Sequence, residues 1–61
     1  MPEVIIELIE GHPVEQKRAL LREVTDAVVR VCDVPPDAVI VTIREAPPTN
    51  KSKGGIPFSD R

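Results

Sequence analysis

The sequence predicts a small α/β unit, a βαβ subunit with a two-stranded parallel sheet, one long helix and a C-terminal hairpin. Three observations predict it. Residues 4–9, VIIELI, and 38–45, AVIVTIRE, are β-branched apolar runs of strand length. Between them Leu20, Leu21, Val24, Ala27, Val28 and Val31 recur at spacings of three and four, the period of a helix face. Two strands joined through a helix rather than a tight turn pair in parallel, with a right-handed crossover.

The elements follow in order. Val4, Ile6 and Leu8 point to one side of the first strand, and Ile5 and Ile9 to the other. A strand apolar on both sides is buried on both. Gly11 ends it, and Pro13 suits the first turn of a helix, where a missing N–H costs nothing. Glu15 favours the positive end of that helix. The helix runs from Pro13 to about Cys32, and Pro35 and Pro36 stop it. In the second strand Val39, Val41 and Ile43 form one face, and Ile40, Thr42 and Arg44 the other. The tail holds a Pro-Pro turn, a polar loop and Gly54-Gly55. There IPF reads as a short edge strand or as half of a hairpin against another subunit.

Sixty-one residues make a single domain, 1–61. A chain of this length buries only about 60% of its unfolded surface and needs a staple. Cys32 is the only cysteine and His12 the only histidine, so neither an internal disulfide nor a Cys/His metal cluster is available. One helix covers one face of a two-stranded sheet. The other face, with its Ile and Val side chains, calls for a cover from another chain. Self-association is therefore expected.

The net charge is −2 with both signs dispersed, and Phe58 is the only aromatic residue. A nucleic-acid partner is excluded, because there is no basic stripe and nothing to stack on bases. No apolar run is long enough to span a membrane, and no leader segment is visible. A cytoplasmic location is expected.

Pro2 stands one residue before Glu3 and the first strand, and two readings compete. A strand accepts proline at its first position. If the initiator Met1 is removed, however, Pro2 becomes a terminal secondary amine, able to act as a base or a nucleophile.

The order of several pieces decides between them. A proline opens the first strand. LIEG leads into EQKRALLREV, DVPPDAVIV leads into the second strand, and GG sits in the C-terminal loop. Together they span nearly the whole chain, and the sequence resembles the 4-oxalocrotonate tautomerase family. That resemblance implies short βαβ subunits assembled as hexamers, here a homohexamer. It also implies removal of Met1, Pro2 as the catalytic group, a small-molecule substrate and no cofactor. The chemistry implied is keto–enol tautomerisation of a small enol or 2-oxo acid. A free α-amino group titrates at about 7.7–8.0. Burial and neighbouring cations lower that value, and a base poised near neutrality moves protons best.

The family binds acidic substrates through two arginines and closes its site with an aromatic residue. By the resemblance these positions are His12, Ile40 and Lys51 here. His12 carries a proton part of the time, or is simply a loop residue at the head of the helix. Ile40 cannot hold a carboxylate. Arg44 lies on its face but about 13 Å along the strand, and reads as a solvated or interfacial charge. Lys51 or Lys53 restores a positive charge from another direction, or each is solvated. Cys32 is expected to pack as a small apolar residue, Glu7 to meet a neighbouring subunit or the helix, and Glu10 to belong to the turn. Two alternatives stand beside the tautomerase: a silent, non-catalytic subunit of the same fold, and a hydratase or decarboxylase using the same proline.

Overall fold

The computed structural model describes residues 1–61. Strand β1 is Glu3–Ile9, helix α1 is Val14–Cys32 and strand β2 is Ile40–Ala46. The strands pair in parallel from Glu3 opposite Ile40 to Ile9 opposite Ala46. The predicted βαβ order therefore holds. Helix α1 starts on the Pro13 carbonyl, which accepts from the N–H groups of Gln16 and Lys17 at 3.1 and 3.2 Å. It ends where Asp33 turns left-handed (φ 56°) and donates its N–H to the Val29 carbonyl at 3.0 Å. Glycine is the usual residue there, and aspartate is one of the few others that tolerate the conformation.

The second strand begins two residues later than the sequence implies. Pro36–Ala38 forms a 3₁₀ turn, closed by the Val39 N–H on the Pro36 carbonyl at 3.1 Å. Proline at the head of such a turn has its φ already set. The strand gains one residue at its far end, Ala46.

The period-two pattern sorts the two faces. Val4, Ile6, Leu8, Val41 and Ile43 are half-buried, while Glu3, Ile5, Glu7, Ile40, Thr42 and Arg44 are exposed. The helix contributes half-buried Leu20, Leu21, Val24, Ala27 and Val28. Val31, placed on this stripe by its spacing, is instead 79% exposed, and Cys32 is exposed rather than packed. The lengths explain it. Nineteen helical residues span about 28 Å, and seven strand residues about 23 Å. The helix overhangs the sheet by roughly one turn, so its last residues have nothing beneath them.

No side chain in the chain is fully buried. Ile5 (53% exposed) and Ile40 (40%) lie bare on the face the helix leaves open. The Cα radius of gyration is 14.4 Å, against about 10.5 Å for a compact chain of this length. Part of the excess is the tail. After a 3₁₀ turn at Pro48–Asn50, β3 (Ser52–Lys53) and β4 (Ile56–Pro57) pair antiparallel. Gly54 and Gly55 join them at φ 62° and 82°. A two-residue hairpin turn with both residues at positive φ suits glycine because it carries no Cβ. The hairpin therefore closes within the chain. No helix is long and apolar enough to cross a membrane.

Candidate active site

The parallel sheet sends the two ends of β1 far apart, and the candidate residues divide between them. At the start of β1 lies Pro2, half-buried, its carbonyl accepting the Ile40 N–H at 3.0 Å. That bond places Ile40, the first residue of β2, beside the proline. Glu3 faces Ile40 across the strand pair. The pair next to Pro2 in the sheet is thus one apolar residue, Ile40, and one carboxylate, Glu3. With Met1 attached, the Pro2 nitrogen is an amide without basicity; Met1 itself is 82% exposed.

About 23 Å away, at the far end of β1, two depressions share Leu8 as a common wall. One, of about 220 Å³, is lined by Leu8, His12, Gln16, Lys17 and Leu20. His12 is exposed, with Nδ1 3.3 Å from Gln16 Oε1. An amide oxygen only accepts, so Nδ1 donates in this contact. The other, of about 260 Å³, includes Glu7, Arg44, Glu45, Asn50 and Lys51. Lys51 is half-buried, and its carbonyl accepts the Phe58 N–H at 2.9 Å. Phe58 in turn lies under the Arg61 guanidinium, 5.4 Å from its ring centre.

Two ion pairs frame this end. Lys17 Nζ meets Glu45 Oε1 at 3.0 Å, tying the helix to β2, and Arg44 meets Glu7 at 3.1 Å. Glu7 was expected against the helix or a neighbour; it pairs with the residue opposite it in register. Lys53 is exposed on β3, and its carbonyl accepts from Arg61 Nη2 at 3.1 Å.

One chain thus joins Pro2 to Ile40, and His12 to the neighbourhood of Lys51, but does not join the two groups. Leu8, Gln16 and Asn50 line the depressions without having been singled out from the sequence. Leu8 and Gln16 carried only a helix-facing or solvent-facing pattern there, and Asn50 lay in a loop with no period at all. No group of three or more His, Cys, Asp or Glu side chains is placed to hold a metal ion.

The tautomerase enzyme family model matches residues 2–61, from Pro2 to the last residue. The chain belongs to the tautomerase family. A probable tautomerase of Bradyrhizobium diazoefficiens is 43% identical over 61 residues, covering all of this chain and 91% of that one. A 2-hydroxymuconate tautomerase of Pseudomonas putida is 41% identical over 59 residues, 97% of this chain and 94% of its own. Among solved structures, a heterohexamer 4-oxalocrotonate tautomerase from Chloroflexus aurantiacus superposes with a TM-score of 0.92 at 37% identity. That match covers 98% of this chain and 97% of the other. The enzyme is an isomerase of tautomerase type, of the family its sequence resembles.

Proposed function

We propose that this tautomerase moves a proton between oxygen and carbon of a small enol or 2-oxo acid, with Pro2 as general base once Met1 is removed. The free secondary amine takes the enol hydroxyl proton as the C=O bond forms. It returns that proton to carbon, and nothing is oxidised or reduced. The observation that carries this reading is the placement of Pro2. It is half-buried beside Ile40, while the residue that must leave is 82% exposed.

The reading also requires self-association, with residues 1–61 as one unit in a homohexamer. A symmetric two-fold contact brings opposite ends of an edge strand together when the strands run antiparallel. Pro2 and Ile40 of one copy then meet His12 and Lys51 of the next, with Lys53 on the hairpin nearby. The bare Ile5 and Ile40 and the heterohexameric relative support assembly. The reading includes a cytoplasmic setting, tested by cell fractionation.

The test compares two preparations of equal fold and assembly, one retaining Met1 and one lacking it. Turnover of an enol substrate only by the processed form is expected. Equal turnover by both removes Pro2 as the base. No turnover by either favours a silent subunit.

A further inference from the structure

Four of the charged side chains around Leu8 are already matched, Lys17 with Glu45 and Arg44 with Glu7. Lys51 is the remaining lysine or arginine of the two linings, and its ammonium enters no hydrogen bond or ion pair within the chain. It is half-buried, and the Phe58 N–H fixes its backbone. A cation without a partner in its own chain is free to take an anion beside it.

The Pro2 end has the opposite character. Its wall is Ile40, and Glu3 stands opposite in register. A carboxylate arriving there finds no donor on the Ile40 side chain and is repelled by Glu3. The nearer ring nitrogen of His12, Nδ1, is already engaged by Gln16 Oε1 at 3.3 Å.

We propose that Lys51 anchors the substrate's carboxylate, and that the substrate is a monocarboxylate whose uncharged, apolar remainder lies along Ile40. The proposal rests on the Pro2 reading for its geometry, since Lys51 and Pro2 come together only between copies. One acid group is accommodated, and a second meets an apolar wall and a like charge.

The experiment uses the processed, assembled enzyme, its Lys51→Met and Lys51→Arg variants, and two measurements. The first is turnover of phenylenolpyruvate. The second is binding of 3-phenylpropionate and of its neutral amide, neither of which can tautomerise. Loss of a charge-assisted hydrogen bond is expected to raise KM for Lys51→Met about tenfold or more, with little change in kcat. The acid is expected to bind about tenfold more weakly while the amide is unaffected, and Lys51→Arg restores both. If Lys51→Met fails to assemble, Lys51→Gln serves in its place. An unchanged KM overturns the anchor and leaves the base standing. So does equal weakening of acid and amide, which marks a structural role. Lys51-dependent binding of the acid by a protein with no turnover upholds the anchor and removes the base. Absence of any acid binding overturns the anchor as well.

Discussion

Replacing Ile40 by arginine tests whether the residue beside Pro2 selects against a second carboxylate. A guanidinium–carboxylate contact contributes about 1.5–3 kcal/mol. Ile40 is 40% exposed in one chain, which takes the low end, about 1.5–2 kcal/mol. Glu3 competes for the new guanidinium, because it stands opposite in register. A cross-strand pair of that kind is worth about 0.2–1 kcal/mol. The remainder, about 0.5–1.8 kcal/mol, is a gain of about 2- to 20-fold in kcat/KM for 2-hydroxymuconate. Adding Glu3→Gln frees the arginine and is expected to contribute a further factor of about 1.5–5. The assay measures kcat/KM on 2-hydroxymuconate and phenylenolpyruvate for the parent enzyme, Ile40→Arg and the double variant. Circular dichroism and light scattering show that fold and assembly are intact. The reasoning fails if neither variant gains on the dicarboxylate, or if the parent enzyme already prefers it strongly.

Three further outcomes are expected. With Met1 removed, the rate rises with pH as the Pro2 amine loses its proton; a preparation keeping Met1 shows no such limb in its pH–rate profile. Leu20→Ala and Leu21→Ala each lower stability by about 1–3 kcal/mol, less than for full burial because both side chains are half-buried, as read from the urea midpoint. Ile5→Glu places a charge on the bare sheet face opposite Thr42 and shifts the protein toward monomers in light scattering, whereas an unchanged mass shows that this face is not a contact.

The elements were legible in the sequence because each announces itself through a local period. The alternation of Val4, Ile6 and Leu8, and the three-four spacing from Leu20 to Val28, depend only on neighbours along the chain. Val31 and Cys32 continue the helical spacing but lie on the overhanging turn. How far a helix outruns its sheet is a relation between two elements, which no single stretch records. The Ala38 boundary failed for a different reason. A residue after two prolines reads as extended, while a 3₁₀ turn of three residues is too short to show a period. For the candidate site, the family resemblance pointed to Pro2, His12, Ile40 and Lys51, but not to their division between opposite ends of β1. That follows from the parallel pairing. The Glu7–Arg44 and Lys17–Glu45 pairs were invisible for the same reason, since their partners are 37 and 28 residues apart.

A chain in which no side chain is fully withdrawn from water stores little of its stability within a single copy. If copies complete the fold, stability becomes a matter of mass action. Each tenfold dilution then removes about 1.4 kcal/mol from every association step. The amount of this protein a cell makes thereby enters its folding equilibrium. At low abundance more chains stand open to proteases, which lowers abundance further. Expression level and structural integrity are in this way a single variable, and a substitution that merely slows synthesis acts on the molecule much as a core mutation would.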